Sequence, residues 1–167
     1  GSGASADVPA LEEETLQALI DATEEGGELF VPCGDYDEQI LITQSITIIG
    51  EEGCDERGGG PKVRRGAGVD YDARPDGNTS LNTLTILAEG TEYPAAVTLF
   101  QGSGGTLMIH DCLIDGGGEL PAISAGGVDL LVTSTDIENS AGIVITDCDG
   151  NTFITDSNFN NNTTNLD

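Results

Sequence analysis

A repeat of 22–23 residues in the second half of the chain constrains the fold more than any other feature. The segments IHDCLID, VTSTDIE and ITDSNFN begin at Ile109, Val132 and Ile154, which places them 23 and 22 residues apart. Each segment has an apolar residue at its first and sixth positions. Ile123 and Ile145 suggest a second column with a period of 22. Each repeat therefore contains at least two short strands separated by turns.

Short strands with no helix between them can bury an apolar face only by stacking on their copies. Turns of chain stacked about 4.8 Å apart pair every strand with the next repeat. Inward side chains then form ladders, such as Cys112, Thr135 and Ser157. Turn positions that favour left-handed backbone also coincide, namely Gly116, Asn139 and Asn161. These features predict an all-β fold, a right-handed parallel β-helix (solenoid) of about six coils.

The segment GGELFVPCGDYDEQILITQSITIIGEEG, residues 26–53, carries a second pattern. The run VPCGDYDE is followed by alternating aliphatic residues and then by the strand ITIIG. It resembles the first coil of right-handed parallel β-helix proteins of the pectin-lyase-like superfamily, although Cys33 departs from their common Pro-Gly form. The matching residues are Val31, Gly34, Tyr36, Glu38, Ile40, Ile42, Ile46, Thr47, Ile48 and Gly50. The resemblance implies the fold but not the activity, because this scaffold hosts several enzyme classes and non-enzymatic proteins.

The regions outside the repeats complete the predicted organisation. Residues 8–25 predict one helix with Pro9 at its start and glycines after its end, and the resemblance implies that it caps the solenoid. Residues 1–7 are interpreted as a tail or tag remnant, and residues 8–167 as a single domain. The final NNNTTNLD contains no capping element. We therefore expect the chain to be part of a longer protein, or its last coil to meet another chain in an assembly.

The charge distribution limits the partners. The chain has 30 acidic and five basic residues and a formal net charge of −25. Such a chain repels nucleic acid and anionic membranes, and it suits saline surroundings, divalent cations or a cationic partner. No apolar run reaches the length of about 20 residues that a membrane span needs. The basic residues all lie in one glycine-rich region, at Arg57, Lys62, Arg64, Arg65 and Arg74.

Residues 51–82, which contain these cations, are predicted to form a long inserted loop without periodic structure. Three interpretations of the loop remain open. Its arginines pair with carboxylates of the coils, or they bind an external anion such as a sulfated or carboxylated glycan or an acidic partner. In the third interpretation, KVRRG is a dibasic processing site.

Cysteines, sequons and one acidic turn supply further candidate sites. Cys33 and Cys54 are the first candidates for a disulfide, which would indicate an extracellular or otherwise oxidising location; four buried thiols are the alternative. The segment DCDGN at residues 147–151 resembles the start of a calcium loop, with Asp147, Asp149 and Asn151 as ligands, although a plain turn also explains it. Apart from calcium, no cofactor is predicted. Sequons for glycosylation occur at Asn78, Asn161 and Asn162.

The sequence contains few candidates for catalytic residues. No Lys or Arg follows Arg74, so the later coils lack the basic residue that polysaccharide lyases and esterases resembling this fold use. The single histidine, His110, lies beside Asp111 in a strand, where alternation points it outward. We therefore predict a non-catalytic structural or carbohydrate-binding module with a polysaccharide or another protein chain as partner. The alternative is a carbohydrate-active enzyme (lyase, esterase or hydrolase) or a degenerate relative of one.

Overall fold

The computed structural model describes residues 15–56, 58–70, 78–100, 105–145, 151–160 and 162. Within these ranges the chain forms one helix, α1 (Leu16–Ala22), and seventeen strands. Three successive strands make one coil of the solenoid. The first three coils are β1 (Gly27–Val31), β2 (Asp35–Tyr36), β3 (Ile40–Ile42); β4 (Ile46–Gly50), β5 (Lys62–Val63), β6 (Ala67–Asp70); and β7 (Asn78–Asn82), β8 (Thr85–Leu87), β9 (Val97–Phe100).

The remaining coils continue the same order of strands. They are β10 (Thr106–His110), β11 (Leu113–Asp115), β12 (Ile123–Ala125); β13 (Asp129–Thr133), β14 (Asp136–Glu138), β15 (Ile143–Ile145); and β16 (Thr152–Thr155), β17 (Asn158–Asn160). Corresponding strands pair in parallel to give three sheets: sheet A (β1-β4-β7-β10-β13-β16), sheet B (β2-β5-β8-β11-β14-β17) and sheet C (β3-β6-β9-β12-β15). The prediction of an all-β parallel β-helix with an N-terminal helix is confirmed.

The interior is a set of aliphatic ladders that run along the solenoid. Ile109 pairs with Val132 and Val132 with Ile154 in sheet A, as the repeat predicts. The column of Ile114, Ile137 and Phe159 in sheet B is also confirmed. Most members of these ladders are fully buried, and each buried aliphatic side chain contributes about 1.5–3 kcal/mol relative to an exposed one. The ladders therefore stabilise the stacking of the coils.

The predicted pairing of Ile123 with Ile145 is wrong. In sheet C, Ile123 pairs with Ile143, and Ile145 pairs with Ala125. The turn before β12 occupies residues 116–122, whereas the turn before β15 occupies only residues 139–142. The shorter turn advances the third strand of the later coil and breaks the constant period that the sequence suggests.

The prediction of an inserted loop at residues 51–82 is also wrong. Strands β5, β6 and β7 all lie in this segment, and they pair with the coils before and after them. Within the described residues, the long excursion from the coil is therefore limited to residues 51–61. Strand β5 has only two residues, so no alternation of apolar and polar residues marks it in the sequence.

The described helix is shorter than the predicted segment 8–25, of which residues 8–14 lie outside the described ranges. Helix α1 begins after Thr15, whose hydroxyl accepts a hydrogen bond from the Ala18 amide at 3.0 Å. It ends at Thr23, which has extended backbone and donates its hydroxyl hydrogen bond to the Leu19 carbonyl. A β-branched residue that satisfies a carbonyl in this way terminates the helix before the predicted glycines. No helix in the described ranges has the length and apolar character that crossing a membrane requires.

Helix α1 covers the first coil with two buried residues, Leu16 and Ile20. The carboxylate of Glu38 accepts hydrogen bonds from the amides of Leu16 and Gln17 at 2.8 and 3.0 Å, so it caps the helix from the solenoid. The Gln17 side chain accepts from the Leu41 amide and donates to the Leu41 carbonyl. It therefore pairs with edge strand β3 as another strand would.

In the last four coils, the turns between sheets A and B use left-handed backbone at non-glycine residues. Thr83, Asp111, Ser134 and Asp156 have φ between 49° and 57°. At the next turn Asn139 has φ 49°, as predicted, but Gly116 does not take a positive φ, and Gly117 and Gly118 do. Any side chain at Gly116 would meet the Leu120 carbonyl oxygen at 2.2 Å, so close packing explains this glycine. Asn161 lies outside the described residues.

Candidate functional site

The three described cations lie in strand β5 of sheet B or directly after it, and both arginines contact carboxylates. Arg64 makes a bidentate contact with Asp35 in the preceding coil and a hydrogen bond of 2.8 Å to Glu89 in the following one. Arg65 contacts Asp37 at 2.7 Å. Lys62 pairs in register between Asp35 and Thr85. This arrangement matches the interpretation in which the arginines pair with the coils; Arg57 and Arg74 lie outside the described residues.

These contacts determine the electrostatics of the cluster. The hydrogen bonds from Arg64 lower the pKa of Asp35, and those from Arg65 lower the pKa of Asp37. Asp35 and Glu89 in turn raise the pKa of Arg64 above its ordinary value. Both guanidinium groups are therefore engaged by the protein's own carboxylates, and an external anion would have to displace them. The binding of an external anion by Lys62, Arg64 and Arg65 stays a prediction. The ion pairs of the two arginines with Asp35, Glu89 and Asp37 do not favour it.

A disulfide joins Cys33 to Cys54, the pair first proposed from the sequence. It connects the first coil to the excursion at residues 51–61, and the Cys33 amide also donates to the Glu51 carboxylate at 2.9 Å. A disulfide is compatible with an oxidising compartment. Cys112 is a buried free thiol, and burial raises its pKa to about 12, so it is not a candidate nucleophile.

The predicted sequons differ in their surroundings. Asn78 is exposed at the start of β7. The Asn162 side chain accepts from the amide and hydroxyl of Ser140 and donates Nδ2 to the Ile137 carbonyl. Its side chain is therefore engaged by Ser140 and Ile137, and glycosylation at Asn162 stays a prediction.

The calcium prediction falls mostly outside the described ranges, as Asp147 and Asp149 do. Asn151 is described, and its amide donates to the Asp129 carboxylate. Among the described residues, no group of three or more His, Cys, Asp or Glu side chains has a geometry that would hold a metal ion.

The His110–Asp111 pair is not assembled as a catalytic dyad. His110 is exposed, as predicted, and its Nδ1 lies 2.7 Å from the Thr133 hydroxyl. Asp111 instead accepts a hydrogen bond from the Thr83 hydroxyl at 3.2 Å. In the described part of the chain, neither Arg64 nor Arg65 forms an ion pair with Asp111 or Asp115.

The outer faces of the three sheets are covered to different extents. On sheet C, Tyr93 and Phe100 pack edge to face at 5.2 Å over Gly68, where an added Cβ would lie only 2.8 Å from the Phe100 ring. On sheet B, the excursion brings Gly59 against Thr85, which is buried. Neither kind of cover is found over sheet A in the described ranges. Phe30, Met108 and Phe153 of sheet A are exposed.

Two outward columns of sheet A form a strip with almost no charge, which we call the sheet A face. Register places six residues in each column. Glu28 is the one carboxylate in the two columns, all of whose members are described. The columns are Glu28, Thr47, Ser80, Met108, Leu131, Phe153 and Phe30, Ile49, Asn82, His110, Thr133, Thr155. In a chain with 30 acidic residues, this strip is the exception.

The sheet A face combines exposed apolar groups with hydrogen-bonding groups. Phe30 is 69% exposed, Phe153 58% and Met108 42%. The Asn82 amide and the His110 imidazole lie beside these groups in the second column. Six strands at about 4.8 Å span about 24 Å, which gives the face the shape of an elongated platform. Alternation of side chains along a strand was visible in the sequence, but the alignment of these residues depends on the register between coils.

A groove of about 540 Å³ lies at one corner of this face. Its lining combines exposed apolar side chains with two carboxylates: Phe30, Val31, Pro32, Ile49, Gly50, Glu51, Glu52 and Thr83. Sequence reasoning missed this groove, because Phe30 and Glu52 become neighbours only when the first two coils stack.

Comparisons with protein-family models, curated proteins and solved structures found no match for this chain. The functional proposal is therefore based on the fold, the sheet A face and the groove beside Phe30.

Proposed function

We propose that the protein is a non-catalytic β-helix module that binds carbohydrate along the sheet A face and takes part in a larger extracellular assembly. We also propose that it is related to the pectin-lyase-like superfamily, on the pattern of residues 26–53. The observation that carries the binding proposal is the strip of exposed apolar and hydrogen-bonding side chains on an otherwise acidic molecule.

The chemistry of the strip suits a sugar chain. Pyranose rings present apolar C–H faces, which pack on exposed rings such as Phe30 and on thioethers such as Met108. Their hydroxyls need partners that both donate and accept hydrogen bonds, as amides, imidazoles and hydroxyls do. Because Nδ1 of His110 is engaged by Thr133, Nε2 is its nitrogen available to a ligand.

A structural or assembly role is compatible with the same features. The disulfide and helix α1 fix the first coil, and the coils stack in parallel along three sheets. A rigid rod with one binding face is suited to holding a polymer in place rather than to transforming it.

The test is affinity electrophoresis in gels containing soluble glucan, xylan or polygalacturonate. We expect retardation in at least one gel, and at least about tenfold weaker binding for a variant carrying Met108→Ala and His110→Ala. Val144→Ala is the matched control, because Val144 is an apolar residue of similar exposure, 38%, on sheet C. Unchanged affinity of the double variant would contradict the proposed face. Release of new chain ends from any of these polymers would contradict the non-catalytic role.

A further inference from the structure

The groove lined by Phe30, Pro32, Ile49, Glu51 and Glu52, here called the Phe30 groove, has a preformed shape. The Cys33–Cys54 disulfide joins the chain segments that follow its two walls. The Glu51 carboxylate adds a hydrogen bond to the Cys33 amide. Binding in the groove would therefore need little ordering of the protein, which favours affinity.

The floor of the Phe30 groove depends on close packing behind it. An added Cβ at Gly50 would lie 2.1 Å from the Thr83 carbonyl oxygen and 2.6 Å from the Pro61 ring. Thr83 has left-handed backbone, and its hydroxyl is held by Asp111. The backbone of the third coil therefore closes the back of the groove directly, and the open side bears the Phe30 ring.

The charge in and around the Phe30 groove has one sign. Glu51 and Glu52 line it, and no described cation does. The described basic residues Lys62, Arg64 and Arg65 lie instead on sheet B, where both arginines are bound by carboxylates. Glu52 is exposed, and it makes no hydrogen bond or ion pair within the described ranges. An apolar floor beside unneutralised carboxylates attracts a cation with an apolar body.

We propose that the Phe30 groove is a docking site for a basic segment of a partner protein, in which an arginine or lysine contacts Glu51 and Glu52 and lies over the Phe30 ring. Charge complementarity supports a polycationic partner, because a net charge of −25 accelerates the approach of a basic segment. The open side of the groove suits a side chain presented by a polypeptide. This inference does not depend on carbohydrate binding.

The test uses fluorescence anisotropy with a capped peptide of alternating phenylalanine and arginine, and a second peptide with citrulline in place of arginine. Citrulline keeps the shape of arginine and removes its charge. We expect the arginine peptide to bind at least about tenfold more tightly than the citrulline peptide. Raising the salt concentration to about 0.5 M should reduce this preference, since the screening length becomes only a few ångströms.

The local contact is separated from general attraction by two double variants of equal net charge. Glu51→Gln with Glu52→Gln removes both carboxylates of the groove, and the amide oxygen of Gln can still accept from Cys33. Glu24→Gln with Glu119→Gln removes two exposed carboxylates elsewhere. We expect the first variant to lose at least about tenfold in affinity for the arginine peptide and the second less than about twofold.

Two results would overturn the docking site. One is equal loss of affinity in both double variants, which would show that only net charge matters. The other is absence of binding by the arginine peptide. Retardation in polysaccharide gels, measured on the same variants, reports on the sheet A face separately: it should be unchanged by Glu51→Gln with Glu52→Gln.

Discussion

The first three coils and the last three coils are held together by different means. The early coils use covalent and ionic links: the Cys33–Cys54 disulfide and the contacts of Arg64 with Asp35 and Glu89. The late coils contain no Lys or Arg. They are joined, beyond their aliphatic ladders, by neutral side chains such as Thr135, Ser157 and Asn162.

The early and late coils reduce the repulsion between stacked carboxylates in two different ways. Parallel stacking in register brings carboxylates of successive coils close together, and like charges that face each other destabilise a sheet. The early coils insert guanidinium groups between the acids. The late coils place an amide side chain beside two of their acids, as Asn158 does for Asp136 at 3.1 Å and Asn139 for Asp115 at 3.2 Å. A strongly acidic solenoid can therefore extend without cations.

The largest expected effect comes from removing the disulfide. Cys33→Ser with Cys54→Ser should lower the free energy of unfolding by about 3 kcal/mol, because the unfolded chain regains the entropy of a closed loop. The loop spans 21 residues in sequence. Urea denaturation measures the total loss, and hydrogen exchange should show faster exchange in β1–β6 than in β13–β17.

The control for this variant is reduction of the unmodified protein. A reductant should lower its stability toward that of the double variant and leave the double variant unchanged. Loss of protection spread evenly over all coils would contradict the assignment of the disulfide to the early coils alone.

The second effect concerns the late coils. Asn162→Ala removes two hydrogen bonds to Ser140 and one to the Ile137 carbonyl, and Ser140 is buried. Unsatisfied buried groups should lower the free energy of unfolding by about 1–3 kcal/mol, measured by urea denaturation. Asn160→Ala is the control, because Asn160 is exposed in β17. An equal effect of the two substitutions would contradict the stabilising role of the Asn162 side chain.

The smallest effect should come from the arginine cluster, because its charges are exposed to solvent. Arg64→Gln should lower the urea midpoint at low salt, and the difference should shrink at about 1 M salt. Lys62→Gln is a comparison of equal charge, since Lys62 lies near Asp35 but forms no ion pair within the described residues. Equal shifts for the two variants would mean that only net charge matters.

The contribution of Arg64 should also depend on pH. The folded pKa of Asp35 is lowered, so the stabilisation is present above the unfolded value of about 3.9 and is lost as the pH falls through the folded pKa. The difference between the unmodified protein and Arg64→Gln should therefore vanish in strong acid. A difference that persists there would point to packing of the arginine stem rather than to the ion pair.

The regular part of the fold could be predicted from the sequence, and the irregular part could not. The columns at Ile109 and Ile114 were predictable because turns of nearly constant length keep a constant period. The second coil was missed because β5 has two residues and long connections hide the period. The Ile123–Ile145 pairing failed because a turn shortened.

The candidate sites show the same division. The Cys33–Cys54 pair was predictable because both cysteines flank one strand pair in the first two coils. The partners of Arg64 could not be predicted, since Asp35 and Glu89 are distant in sequence and meet it only through the register of sheet B. For the same reason, the sheet A face, with Glu28 as its one carboxylate, could not be recognised before the coils were aligned.

The amide of Gln17 has a consequence for how the molecule ends. A coil stacks on its neighbour through backbone groups, so an open first coil could receive the last coil of another molecule and grow into a fibre. The Gln17 side chain binds both the amide and the carbonyl of Leu41. An incoming strand therefore cannot form backbone hydrogen bonds at this position of β3. At this position of the first coil, Gln17 therefore blocks the pairing of a further strand. Leu16 and Ile20 of helix α1 are buried against the same coil.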